Sequence, residues 1–111
     1  MAKGVRKVVI GDVAPLEEAV AALQKDFAGA EVVAVKCNVA DENDVKNLVK
    51  TAVDKFGRLD YAVNCAGVPD GAPWEELESA IWDKTTGVNE RGVYLCMREE
   101  LKVMANQDFA P

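Results

Sequence analysis

The sequence predicts a parallel α/β domain: three strands side by side, with helices flanking the sheet. Two observations lead there. The apolar runs Val8-Val9-Ile10 and Val32-Val33-Ala34-Val35 do not alternate with polar residues, which fits strands covered on both faces, as in parallel sheets. Amphipathic stretches at helical spacing lie between the strands, and right-handed strand-helix-strand crossovers make those strands parallel. With 111 residues the expectation is one domain over 1–111.

Lys7 to Val13 reads as the first strand, ending at Asp12 and a turn. Pro15 stands where a first helical residue would, and Glu17 and Glu18 favour the positive end of the helix dipole. Leu16, Ala19, Val20, Leu23 and Phe27 share one helix face, and Gly29 is the stop. Glu31 to Lys36 is the second strand. Asp41 is the predicted N-cap of the next helix, whose apolar face is Val45, Leu48, Val49, Ala52, Val53 and Phe56, closed by Gly57. Leu59 to Asn64 reads as a third strand and Cys65 to Pro73 as a loop rich in Gly and Pro. Trp74 to Asp83 reads as a short helix and Val88 to Ala105 as a longer one. Val93-Tyr94-Leu95-Cys96-Met97 is apolar nearly all round, so that helix is expected to be covered on more than one side.

Composition excludes several function classes. Hydrophobic residues at 50% and charged residues at 29% exclude a disordered or low-complexity chain. A net charge of -6 repels phosphate backbones and argues against a nucleic-acid partner. The absence of histidine removes Ser-His and Cys-His nucleophile pairs and imidazole zinc sites. No apolar stretch approaches the ~20 residues of a membrane span. Met1 to Lys7 is basic, but only Val8, Val9 and Ile10 follow before Gly11, which does not read as a signal peptide. Cys37, Cys65 and Cys96, odd in number and without a CxxC, read as reduced thiols of a cytoplasmic protein, packed as small hydrophobes.

Ligands of open α/β sheets bind beyond the carboxyl ends of the strands. Here those ends are Gly11-Asp12-Val13, Cys37-Asn38-Val39 and Asn64-Cys65-Ala66-Gly67. A carboxylate such as Asp12 can bond the hydroxyls of an adenosine ribose and repel the extra phosphate of NADP, and no Arg or Lys follows it until Lys25. Asp12 also reads as a plain turn acid before Pro15. Asn38 could offer its amide to an adenine edge or simply make a turn. Ala66 and Gly67 permit close backbone approach, or punctuate the loop together with Pro69 and Gly71.

Asp12 after a Val-Val-Ile strand, Asn38-Val39, Asn64-Cys65-Ala66-Gly67 and Val88-Asn89-Glu90-Arg91-Gly92-Val93 follow one another at fitting intervals. Together they resemble the short-chain dehydrogenase/reductase family, over essentially the whole chain. The resemblance implies a partial Rossmann-type parallel sheet, running from the family's second strand through the helix after its fourth. The family's first strand, its Gly-rich turn and its C-terminal half are then absent from these residues. It implies NAD as cofactor, preferred over NADP through Asp12, with Asn38 and Val39 bordering the adenine. Asn64, Ala66 and Gly67 would line the nicotinamide ribose side and steady the central sheet. Asn89 would be the catalytic asparagine, whose backbone holds a water in the proton relay. The implied substrate is a small alcohol or ketone exchanging a hydride with NAD. Helix 88–105 would pack against a second copy, forming a homo-oligomer, or against the remainder of its own sheet.

Asn38 stands where the family more often has Asp, and Cys65 where a second Asn is frequent. No GxG occurs, and Tyr61 and Tyr94 are followed four residues on by Cys65 and Arg98 rather than by lysine. The chain alone is therefore expected to be inactive, and the alternative is a non-catalytic remnant serving at most as a binding or dimerisation module. A response-regulator receiver domain, echoed in Asp60-Tyr61-Ala62-Val63, fails because Asp12 alone cannot build its magnesium site. In the family's 3-2-1-4 strand order, the strands at 7–13 and 59–64 lack their shared neighbour. Instability, aggregation or direct pairing of those two strands is the expectation.

Overall fold

The computed structural model describes residues 4–108. Lys7–Asp12 (β1) and Glu31–Lys36 (β2) pair in parallel, from Lys7 opposite Glu31 to Asp12 opposite Lys36. Glu17–Asp26 (α1) connects them and packs on β2. It starts at Glu17, with Leu16 rather than an oxygen-bearing side chain at its N-cap. Its apolar face is only partly covered: Leu16, Val20, Leu23 and Phe27 are half-buried and Ala19 is exposed.

Glu42–Phe56 (α2) is the best-determined element of the sequence, and its ends show why. The Asp41 carboxylate accepts from the N–H groups of Asn43 and Asp44 at 2.9 and 3.2 Å, satisfying two of the otherwise orphaned donors of the first turn. Gly57 closes the helix at φ 80°, a left-handed conformation that favours glycine, with its N–H on the Val53 carbonyl at 2.8 Å. The face between these caps buries Val45, Val49 and Ala52.

A short 3-10 turn, Trp74–Glu76, precedes Ser79–Thr86 (α3). The chain then passes without a break through one π-turn, Gly87–Arg91, into Gly92–Met104 (α4). The two separate helices expected at 74–83 and 88–105 are thus a turn and one helix with a widened step. Gly87 does not end the helix, because its backbone stays right-handed helical.

The core lies where α2 and α4 meet the ends of the strands. Cys37, Val45, Leu95 and Cys96 form it, with Val39 and Leu48 packed against them. Val45 and Leu95 are its largest fully enclosed side chains; each contributes about 1.5–3 kcal/mol by leaving water. Arg98 on α4 bonds Glu42 at the start of α2, so the helices are also tied by charge.

The predicted third strand is corrected. Residues 59–64 carry no ladder bonds, and they do not pair with β1. A strand needs a neighbour for its backbone groups, and none stands beside this segment among the described residues. Side chains of α4 and its C-terminal end lay it down instead. The Gln107 amide exchanges bonds of 3.1 and 2.6 Å with the N–H and carbonyl of Leu59. The Asn64 amide donates to Glu100 at 2.8 Å. Without sheet neighbours, Tyr61 and Val63 are 80% and 85% exposed. The expectation that α4 is covered on more than one side is corrected too: Leu95 and Cys96 face the core, whereas Tyr94, Met97 and Leu101 lie open along the other side.

Candidate functional site

β1 and β2 end side by side. The N–H of Cys37 bonds the carbonyl of Asp12 at 2.9 Å, which carries the pairing one residue past β2. Asp12 then turns the chain: its Oδ1 accepts from Ala14 N–H at 3.2 Å. The turn-acid reading of Asp12 is therefore present in the geometry. The side chain is exposed, and its second oxygen points to no described donor.

Asn38 and Val39 sit in the loop that leads to α2. Asn38 Oδ1 accepts from Ala40 N–H, and its own N–H donates to Asp44 Oδ2, each at 3.0 Å. The Asn38 carbonyl takes Asp41 N–H at 2.9 Å. Three local bonds thus fix the loop and leave the Asn38 Nδ2 donor facing outward on an exposed residue. Val39 is turned inward against the core.

That loop meets the start of α4. A Cβ at buried Gly92 would stand 2.6 Å from Val39 Cγ2 and 3.3 Å from the Val39 carbonyl, so only glycine lets the two backbones come this close. Arg91 donates to the Ala40 carbonyl at 3.1 Å. Within the π-turn, the Asn89 side chain reaches the other way. Its Oδ1 accepts from Val68 N–H and its Nδ2 donates to the Val68 carbonyl, both at 2.8 Å. Gly67 lies against the same amide, where a Cβ would be 3.2 Å from Asn89 Oδ1.

Asp12, Asn38, Val39, Gly67 and Asn89 are thereby joined in one continuous line of contacts from the ends of β1 and β2 to the loop at Gly67. Ala66 lies exposed beside Gly67. Asn64 stands apart, bonded to Glu100, eleven residues beyond Asn89 and so about 16 Å further along the helix.

Sequence reasoning missed three contributors. Lys36 lies opposite Asp12 in the ladder, although no cation follows Asp12 closely in the chain. Arg91 and Gly92 lie within the stretch that carried the resemblance, but their contacts to residues 39 and 40 depend on tertiary packing. Beneath the line, burial pushes the Cys37 thiol up to about 11, helped by Cys96, Asp44 and Asp41. Burial likewise raises Cys96, with Glu100 adding to it. Both thiols stay neutral and act as packing. The hydrogen bond from Arg98 holds the half-buried Glu42 carboxyl below its ordinary value, with Lys46 and Arg91 assisting.

The arrangement can accept hydroxyl donors at Asp12, donate from Asn38, and admit a flat or backbone-sized group over Gly67. Among the described residues no helix is long and apolar enough to cross a membrane.

The family model for short chain dehydrogenases matches residues 1–110. A 3-oxoacyl-[acyl-carrier-protein] reductase of Synechocystis is 37% identical over 79 residues, covering 71% of this chain and 32% of that protein. Levodione reductase of Leifsonia aquatica is 36% identical over 93 residues, covering 83% of this chain and 35% of that protein. The chain thus spans about a third of the length of the curated relatives it matches. The crystal structure of levodione reductase superposes with a TM-score of 0.85 at 35% identity, over 88% of this chain and 39% of the other. A 3-oxoacyl-[acyl-carrier protein] reductase from Brucella melitensis, solved in complex with NAD, shares the fold. Its TM-score is 0.84 at 24% identity, over 94% of this chain and 41% of the other.

Proposed function

The chain belongs to the short-chain dehydrogenase family, and from that premise we propose that it supplies the adenosine side and the asparagine turn of a nicotinamide dinucleotide site. The complete activity would be hydride exchange between NAD and the carbon of a small alcohol or ketone. The observation that supports this is the unbroken line from Asp12 through Asn38, Val39, Gly92 and Asn89 to Gly67, starting at the ends of β1 and β2. Dinucleotides lie beyond the carboxyl ends of the strands on open α/β sheets.

The residues present fit the cofactor. The exposed Asp12 carboxylate accepts from ribose hydroxyls and repels a phosphate placed there. Asn38 presents its free amide donor toward the base, and Val39, packed against the core and Gly92, would border the base through its backbone. Ala66 and Gly67 let a sugar approach the backbone. NAD, when bound, accepts or returns the hydride. The Asn89 side chain is committed to Val68 at both ends. What Asn89 can offer a proton relay is therefore its main chain, in a turn widened from the ordinary helical spacing. Asn64, held by Glu100, would contribute to the nicotinamide side through its backbone.

The 111-residue chain holds no Tyr-x-x-x-Lys pair, so turnover by it alone is not expected. A second reading, a non-catalytic binding or dimerisation module, draws on the exposed Tyr94, Met97 and Leu101 of α4. Titration of the protein with NAD, followed by amide NMR, tests the proposal. Shifts gathered at Asp12, Asn38, Val39, Gly67 and Asn89 are expected, with weaker ones from NADP. Resonances unmoved at those positions by millimolar NAD would leave the module reading.

A further inference from the structure

The turn at 87–92 holds two loops at once, and in two directions. Asn89 clamps the loop at Val68 from one side. Arg91 and Gly92 hold the loop at 39–40 from the other: the guanidinium donates to the Ala40 carbonyl at 3.1 Å, and the Gly92 backbone lies against Val39. Inside its loop, Ala40 is bonded through its N–H to Asn38 Oδ1 at 3.0 Å. The path from the Asn38 side chain to the Asn89 side chain is thus Ala40, Arg91 and two residues of helix. No described hydrogen bond joins the 38–40 loop directly to the 67–68 loop.

We propose that Arg91 is a positioning residue, which fixes the base-side loop to the Asn89 turn and transmits occupation of the base edge to the Asn89 amide. This rests on the dinucleotide reading above and adds to it a residue that touches neither base nor sugar. Asn38 is the group that meets the ligand. A base bonded to Asn38 pulls on an amide whose oxygen holds Ala40. Arg91 then carries the displacement into the helix, because it grips the Ala40 carbonyl and not a mobile side chain. Its bond is a single N–H to a single oxygen, so an ammonium can replace the guanidinium here, unlike at a bidentate site. An uncharged thioether cannot.

The test uses the 111-residue protein, adenosine 5′-monophosphate as probe, and the variants Arg91→Met and Arg91→Lys. In the parent protein, the probe is expected to shift the amides of Asn38 and Ala40 together with the side-chain amide of Asn89. Arg91→Met is expected to weaken the probe at least about tenfold, the loss of one charge-assisted bond, and to leave Asn89 unmoved. Arg91→Lys is expected to restore both, at the same melting temperature. Arg91 is exposed, so the variants should fold; Arg91→Ala replaces Met if that variant melts early. A Met or Ala variant that binds and responds as the parent does would overturn the proposal. So would a Lys variant as defective as Met, which marks a merely structural contact. A parent in which Asn38 and Ala40 ignore the probe removes the base-side reading itself, and the positioning role falls with it.

Discussion

Lys36 stands directly opposite Asp12 in the parallel ladder. Gly11, one residue earlier, faces α2 at Leu48, so alternation turns Asp12 to the opposite face, and Lys36 with it. The carboxylate that would guard the ribose therefore has a cation on the neighbouring strand. The proposed preference for NAD over NADP would then be a contest between one repelling charge and one attracting charge, rather than a single barrier.

Cofactor discrimination is accordingly expected to be set by both residues. Asp12→Asn removes the repulsion and leaves Lys36 to meet a 2′-phosphate. The ratio of NADP to NAD affinity should rise at least about tenfold, as expected for one hydrogen bond to a charged group. Adding Lys36→Gln should reverse most of that gain. Calorimetric titration of the two single variants and the double variant with both cofactors checks this. A double variant that keeps the full gain would show that Lys36 takes no part.

Asn89 is expected to tolerate its acid isostere less well than its truncation. Asn89→Ala loses two bonds to Val68, at about 1 kcal/mol each. Asn89→Asp keeps an acceptor for the Val68 N–H but sets a carboxylate oxygen against the Val68 carbonyl, which adds repulsion to the loss. Hydrogen exchange at the Val68 amide should be faster than in the parent for both variants. The Asp variant should also expand the separation of the loop from the helix, seen as loss of the Gly67–Asn89 nuclear Overhauser contacts.

Gly92 and Gly11, two of the glycines that touch neighbours, should differ when a methyl group is added. In Gly92→Ala the new Cβ meets Val39 Cγ2 at 2.6 Å and the Val39 backbone oxygen at 3.3 Å. A β-branched side chain and a carbonyl have little room to give, so a loss of about 1–3 kcal/mol is expected. In Gly11→Ala the closest atoms are the two terminal methyls of Leu48, at 2.9 and 3.0 Å. These ends can rotate, so the cost should be smaller. Urea unfolding of both variants, and of Gly92→Ala combined with Val39→Ala, decides it: the double variant should recover part of the loss.

The helix at 42–56 and its caps were legible in the sequence because their causes are local. Asp41, the apolar face of α2 and Gly57 each act within a few residues, and α2 forms where they place it. The third strand was not legible, because Leu59 to Asn64 has strand composition but no neighbour to pair with. Asp12, Asn38 and Gly67 were legible as site candidates from the rule that ligands meet strand ends. Lys36 and Arg91 were not, since register and helix packing bring them there from 24 and 51 positions away. The π-turn at Asn89 was hidden for the same reason: its side chain is drawn to a backbone 21 residues earlier.

The core thiols impose a sign on the pH dependence of stability. Burial raises Cys37 from an ordinary value of 9.0 to about 11 and raises Cys96 as well. The folded protein therefore holds these protons where the unfolded chain releases them. Protons bound by the unfolded state fall below those of the native state as pH climbs past 9, so stability falls with rising pH. It is fully present below pH 9 and is lost progressively toward 11. Chemical unfolding from pH 7 to 11 should show a downturn beginning near 9. In Cys37→Ala, which starts from lower stability because a buried atom is gone, that downturn should be shallower. At pH 8 iodoacetamide should label exposed Cys65 rapidly, while Cys37 and Cys96 react only as fast as the protein opens. Equal labelling of all three in the folded protein, or a slope unchanged by Cys37→Ala, would place the Cys37 thiol in water instead of between α2 and α4.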